Sequence, residues 1–232
     1  MRLYNDDCLN VFRTIADESI DLVVTDCPYH IESGGMTNKN NKTGGMLAKQ
    51  QNTKNGKLFD KNEIEFADWL PEIFRILKNE THAYIMINPR NLKDLWQAAE
   101  DVGFVFQQLL VWDKGNQTPN KFYMNSYELI LMLRKGRAKY INDMGTKNIL
   151  RIPNIMRTKM HPTEKPEELM QILIANSSNE SDLVLDPFMG VGGCGLACKT
   201  LHRDFIGIEI DEKYFAIAQE RIESEDKQLT FF

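Results

Sequence analysis

Four residues, Asp26-Cys27-Pro28-Tyr29, close the apolar run Leu22-Val23-Val24-Thr25 and bring an acid, a tight proline turn and an aromatic ring out of one strand end. A second run, Leu183-Val184-Leu185, ends in Asp186 and the turn Pro187-Phe188-Met189-Gly190-Val191-Gly192-Gly193. The Asp26 carboxylate can accept a hydrogen from an exocyclic amine, and Tyr29 can stack on a planar base. Gly190, Gly192 and Gly193 let the backbone turn tightly and approach a ligand with no Cβ in the way. Asp186 is placed to accept a hydrogen from an ammonium or hydroxyl. Glu209 ends the strand-like run Phe205-Ile206-Gly207-Ile208, where an acid can take both hydroxyls of a ribose. Together the clusters point to group transfer onto a nucleobase from a nucleoside-containing cofactor. A glycine turn alone also serves dinucleotides and phosphates, and the bland alternative is a structural turn with two incidental acids.

Such residues need a scaffold that delivers several strand ends to one edge. Short β-rich runs alternate with amphipathic stretches, the pattern of an α/β protein with a mostly parallel sheet covered by helices. Strands are expected at 21–25, 82–87, 104–112, 127–133, 183–186 and 204–209, and helices at 7–15, 65–77, 91–101, 166–176, 192–201 and 212–223. Phe66, Leu70, Ile73, Phe74 and Leu77 recur at helical spacing. The Tyr127–Leu133 run, after Phe104–Trp112 and a turn-like segment, reads as an antiparallel hairpin at the sheet edge. In open α/β sheets ligands lie beyond the carboxyl ends of the strands, where both clusters fall.

With 232 residues and 42% hydrophobic composition, the chain can bury one sizeable core. The expected organisation is one domain over 1–232, without internal repeats. Residues 32–58 carry five glycines among Asn, Lys, Thr and Gln with almost no apolar periodicity. A loop of that length is functional or disordered, and its start just after Tyr29 marks it as a mobile loop over the site. No apolar run approaches the ~20 residues that span a bilayer, and the first residues lack the apolar core of a signal peptide. The four cysteines, Cys8, Cys27, Cys194 and Cys198, form no CxxC pair, which disfavours a zinc site or a disulfide framework. A reducing, cytoplasmic setting follows as the expectation.

The net charge of −5 is unevenly spread. Six lysines oppose one acid in 38–61, ten Lys/Arg oppose two acids in 114–159, and thirteen acids oppose five bases in 166–232. A basic middle on an acidic body can meet a phosphate backbone although the total is negative. The alternative is two solvated surface stretches.

A third motif, His161-Pro162-Thr163-Glu164-Lys165-Pro166, stands before a helix. Thr163 can cap that helix and Lys165 can meet a carboxylate. With this box between the other two, the chain resembles the β-class DNA amino-methyltransferases, which use S-adenosylmethionine. It shows their Asp-Pro-Pro-Tyr-like box at 26–29, a His-Pro-Thr-Gln-Lys-Pro-like box at 161–166 and an Asp-Pro-Phe-x-Gly-x-Gly-like box at 186–192. Trp112–Asn116 and Tyr127-Glu128 are similar too, and small phage- and prophage-type orphan methylases look most alike overall. The resemblance implies a Rossmann-like S-adenosylmethionine-dependent methyltransferase fold, with a mostly parallel twisted sheet, a reversed edge strand and a circularly permuted motif order. It implies that Phe188 packs on the cofactor adenine and that Glu209 holds the ribose. Asp186, Gly190 and Gly192 would line the methionine side, with Thr163 and Lys165 near its carboxylate. Asp7-Cys8 corresponds to a short box near the adenine, although Cys8 also reads as a small buried residue.

Within that resemblance Asp26, Cys27, Pro28 and Tyr29 form the catalytic site for adenine N6, with cytosine N4 as the rival and a non-catalytic cofactor-binding DNA protein as another class. Cys27 stands where the family has proline; its main-chain carbonyl is retained and the fixed φ is lost. A nucleophilic Cys27 is the reading the other boxes argue against. Trp112 and Lys114 are candidates to touch the base or phosphate, against core and solvent alternatives. Tyr123 and a set that includes Arg134, Lys135 and Arg137 could track the DNA backbone, against a solvated hairpin. The gap at 135–160 is too short for an independent reading domain and is expected to serve as a recognition strip. DNA, duplex or single-stranded, is the expected partner. Homodimers are common in the class, a membrane is not expected, and no nuclease motif is visible.

Overall fold

The computed structural model describes residues 1–28, 64–118, 122–155 and 164–228. Along the chain run β1 (Arg2–Tyr4), α1 (Cys8–Phe12), β2 (Ile20–Asp26), α2 (Phe66–Ile76), β3 (Leu77–Ile87), α3 (Leu92–Val102) and β4 (Val105–Thr118). There follow β5 (Asn125–Lys135), β6 (Ile149–Arg151), α4 (Glu167–Ser177), β7 (Leu183–Asp186), α5 (Gly193–Thr200), β8 (Asp204–Ile208) and α6 (Glu212–Gln228). The strands form one sheet in the order β1-β8-β7-β2-β3-β5-β4-β6. From β1 to β3 the pairings are parallel. β5 runs antiparallel to both β3 and β4, and β6 is parallel to β4.

Central strands read as unbroken apolar runs because both faces are covered. In β2, Ile20 and Val23 enter one core with Trp69, Leu70 and Ile73 of α2 and Leu95 of α3. Leu22 and Val24 enter the opposite core with Leu169 and Leu173 of α4 and Ala197 of α5. The apolar stripe of α2 sits beneath a reciprocal cap between Glu65 and Asp68, in which the Glu65 N–H donates to Asp68 Oδ2 at 2.9 Å. Among the described residues no helix is long and apolar enough to cross a membrane.

The structure bears out the mostly parallel α/β fold and differs from the expectation in detail. The reversed strand is not at the edge: β5 folds back between β3 and β4, and β6 caps the outer side of β4. β3 begins at Leu77, five residues early, since the polar stretch Lys78-Asn79-Glu80-Thr81 conceals it. β1 and β6 have three residues each, too few to display a period of two. The expected loop at 32–58 and the end of the 135–160 strip lie outside the described residues.

One edge of the sheet collects the functional ends. The ends of β2, β7, β8 and β3 finish there, and the registers Met86↔Ile130 and Trp112↔Glu128 bring the first half of β5 and the later part of β4 to the same edge. Gly207 on β8 marks how tightly that region packs. A Cβ there would stand 2.5 Å from the Phe205 ring and closer still to Met189 Sδ. Gly207→Ala should therefore cost about 1–3 kcal/mol through overpacking. Thermal denaturation would register this as a midpoint several degrees lower; an unchanged midpoint would show that Met189 and Phe205 move aside freely.

Candidate active site

β2 and β7 lie side by side with Leu22 opposite Val184 and Val23 opposite Leu185. Where the two strands end, Thr25 reaches diagonally across and its Oγ1 donates to Asp186 Oδ1 at 2.7 Å. The Phe188 N–H donates to the same oxygen at 3.1 Å. Both side chains are buried. Burial pushes the Asp186 carboxyl up to about 7 against these two donors, helped by the charges of Asp26 and Glu209.

Next to it, Asp26 ends β2 and its Oδ2 is ion-paired with the Lys165 ammonium. Lys165 Nζ also lies 3.4 Å from Glu128 Oε2, and the other Glu128 oxygen receives Lys114 Nζ at 3.2 Å. The result is an alternating row, Asp26–Lys165–Glu128–Lys114, drawn from β2, the turn before α4, β5 and β4. Burial works to raise the Glu128 carboxyl, and the Lys165 and Lys114 ammoniums outweigh it and hold it below the usual range. The main chain bearing Lys165 is anchored by its neighbour Glu164, whose Oε1 pairs with Arg221 Nη1 at 2.9 Å.

On the other side of Asp186 the turn opens. Gly190 has φ +52° with nothing within 4 Å of where a Cβ would point. Gly192, at φ +83°, packs against Ala218 of α6. Glu209 is fixed by the backbone: its Oε2 accepts from the Gly190 N–H at 2.9 Å and its Oε1 from the Asp211 N–H at 2.8 Å. Burial nonetheless raises its carboxyl above the usual range. Phe188 is half-buried and meets Trp69 edge to face, with centroids 5.4 Å apart. Asp7 caps α1 by accepting the Leu9 N–H at 2.9 Å, and Cys8 is buried with its thiol pushed up to about 12. An open backbone turn flanked by a buried acid, a half-buried acid and a half-buried aromatic fits a cationic nucleoside ligand.

The structure thus groups Asp26, Lys165, Asp186, Phe188, Gly190, Gly192 and Glu209 along one edge. Tyr29 and Thr163 lie outside the described residues. Cys27 is 2% exposed, its Sγ donates to the Met86 carbonyl at 3.6 Å, and burial holds its thiol well above the usual range, so it is no nucleophile. The remaining candidates are placed as follows. Trp112 is core, 1% exposed, and its indole N–H donates to the Ile152 carbonyl at 2.8 Å. Lys114 is committed to Glu128. Lys135 pairs with Thr81 at the opposite edge of the sheet, where its buried ammonium donates to the Leu77 carbonyl at 2.8 Å. Arg134 and Arg137 share that far edge, lining a shallow 710 Å³ cavity with Glu80, Gly136 and Ala138. Thr25 and Glu128 are the residues that sequence reasoning left out of the site. Thr25 looks like any strand residue, whereas the acid of Tyr127-Glu128, alone among apolar neighbours, was the available signal.

Comparison with known proteins places these features. A family model described as DNA methylase matches residues 20–220. The type II methyltransferase M2.DpnII of Streptococcus pneumoniae is 30% identical, over 98% of this chain and 91% of its own length. The crystal structure of an M1.HpyAVI–SAM complex aligns with a TM-score of 0.70 at 27% identity, covering 95% of this chain and 98% of that one. PvuII DNA methyltransferase, described as cytosine-N4-specific, shares the fold with a TM-score of 0.72 at 17% identity, over 94% of this chain and 85% of its own.

The raised Asp186 carboxyl has a consequence for stability. Its folded value of about 7 lies above the ordinary 3.8, so the native state binds the proton more tightly. The stability it contributes is full below about pH 4 and is lost as pH rises toward 7, on the order of 4 kcal/mol in all. Asp186→Asn keeps an acceptor for both donors and removes the titration. The variant's thermal midpoint should exceed that of the ligand-free wild type at pH 8, with the gap closing toward pH 5. A gap that does not change with pH would refute the assignment.

Proposed function

The chain belongs to the DNA methylase family, and we propose that it methylates the exocyclic N6 amine of adenine in DNA at Asp26, using S-adenosylmethionine. The observation that carries the reading is the juxtaposition of Asp26 with the Asp186–Gly192 turn through the Thr25–Asp186 hydrogen bond. When bound, the cofactor supplies an electrophilic methyl group. Glu209 is the residue to take the ribose hydroxyls, Phe188 and the Asp7-Cys8 start of α1 to flank the adenine, and Asp186, Gly190 and Gly192 to line the methionine side. Thr163 is assigned to the cofactor's carboxylate end.

An exocyclic amine on adenine is a poor nucleophile because its lone pair is delocalised into the ring. Asp26 accepts one amino hydrogen and the main-chain carbonyl at Cys27 accepts the other. Two acceptors so placed favour a more tetrahedral nitrogen, with its lone pair aimed at the methyl carbon. The rate gain comes from positioning and preorganised charge, so no strong base is required. Pro28 shapes the turn and Tyr29 stacks on the base, which must leave the duplex to arrive there. The leading acid at position 26 favours adenine over cytosine, and a cytosine-N4-specific protein on the same fold keeps the second base in view.

The test is purified protein with unmethylated DNA and S-adenosylmethionine, followed by nucleoside digestion and mass spectrometry, beside Asp26→Ala. N6-methyladenine should form and fall by about 10²-fold or more in the variant. N4-methylcytosine would retain the mechanism and change the base. No methylated base on duplex or single-stranded DNA would overturn the proposal.

A further inference from the structure

The β4–β5 hairpin outruns the rest of the sheet at the edge where Asp26 stands. Asp26 is level with Met86 of β3, and Met86 with Ile130 of β5. The ladder with β3 stops one residue further, at Ile87 and Leu129, and that with β6 stops at Asp113 and Arg151. The chain that follows β6 reaches Lys114, whose carbonyl accepts the Asn154 N–H at 3.1 Å. Beyond these points, among the described residues, the ladder joins β4 only to β5, as far as Thr118↔Asn125. From Leu129 to Asn125 the strand advances by about 14 Å. Residues 114–117 there oppose Ser126 alone, a bulge of the kind that bends a strand and re-aims what it carries.

At the end of this projection Phe122, Tyr123 and Met124 are 89%, 91% and 60% exposed. A single exposed apolar side chain is ordinary. Three in succession on a projecting tip form a patch that a binding partner covers. Two observations select the partner. The 114–159 stretch that contains the tip sets ten Lys/Arg against two acids, and Arg151 is exposed at the root of the hairpin beside Asp113. An apolar tip in basic surroundings suits a polymer with charge outside and stacked rings inside, which is duplex DNA. The root of the hairpin is also tied to the acid that faces the base, since Glu128 meets Lys165, which is paired with Asp26. Tip and acid are therefore held at a set separation on one edge. A base that leaves its stack for Asp26 opens a gap, and apolar or aromatic side chains fill such gaps and replace the lost stacking.

We propose that the tip Phe122-Tyr123-Met124 is a wedge that enters the base stack of duplex DNA beside the target base and occupies the space this base leaves. The assignment rests on the reading of Asp26 as the acceptor for a base taken out of the duplex. It gives Tyr123 a place among the bases instead of along the phosphates. It also parts Tyr123 from Arg134 and Lys135, which β5 carries to the opposite edge.

The experiment compares wild type with the double substitution Phe122→Ser and Tyr123→Ser. The methylated motif is first read by sequencing plasmid DNA that wild-type protein has modified. Single-turnover transfer from tritiated S-adenosylmethionine is then measured on two oligonucleotide duplexes that carry this motif. One is fully paired; in the other an abasic nucleotide faces the target base, which makes that base easier to extrude. The double variant should transfer about tenfold or more slowly on the paired duplex, and this deficit should shrink to about threefold or less on the other. Cofactor Kd should stay within about twofold and the thermal midpoint within about 2 °C, because both side chains are exposed. An equal deficit on the two duplexes, or none on the paired one, would overturn the wedge. So would a midpoint lowered by several degrees, or a drop from dimer to monomer in sedimentation, which would assign the tip to the protein's own packing or to a second copy. Wild-type protein that modifies no DNA would overturn the functional reading itself, an outcome distinct from all of these.

Discussion

The hydrogen bond from Thr25 to Asp186 is the contact on which the site depends. It joins residues 161 positions apart, and it can form only if β2 and β7 are neighbours in one register. Both strands are buried on both faces, so a slip of one residue would turn every apolar side chain of β2 to the wrong core and move Thr25 away from Asp186. The packing of two helical layers thus fixes where the end of β2 lies against the turn that follows β7. Asp26 follows Thr25 directly and inherits its placement.

Several carboxylates converge on this edge, and each is made tolerable by a different device. Burial pushes the Asp186 carboxyl up to about 7. Glu209 is wrapped by two backbone N–H groups. Asp26 and Glu128 share an ammonium, and Glu164 is matched by Arg221. Held together without these devices, the acids would repel one another strongly in a medium of low polarity. Arranged this way, they leave an edge whose remaining appetite is for positive charge, which suits a sulfonium-bearing cofactor and an amine that turns cationic as it reacts.

Much of this was legible in the sequence, for a physical reason. Central parallel strands must be apolar throughout, so a run that ends abruptly in an acid marks both a strand and its functional end, as at Asp26, Asp186 and Glu209. Connectivity at the far side was not legible. A strand's composition does not reveal its direction or neighbours, and β5 could not be seen to run inward beside β3. Its reversal carries Lys135 to the edge opposite Asp26, where its ammonium meets the Leu77 carbonyl, and sets Arg134 and Arg137 on the rim of a cavity there. Trp112 misled in the same way, because an amphipathic ring near a strand end reads as a contact until its N–H finds a carbonyl. Lys165 was seen as a cation seeking a carboxylate; which carboxylate depended on how the turn before α4 approaches β2.

The pairing of β1 with β8 bears on how the molecule is made. Residues 2–4 dock on residues 206–208, and the Glu209 N–H donates to the Tyr4 carbonyl at 3.0 Å. β2 likewise waits for β7. During synthesis, then, β1 has no strand to join and β2 exposes one apolar edge until residues 183–208 have emerged. Such distant closures slow folding, because loop entropy is lost before the contacts that reward it are made. The nascent protein can hold β2 against β3 early, yet it gains β7, β8 and β1 in one late step, when residues 2–4 meet residues 206–208.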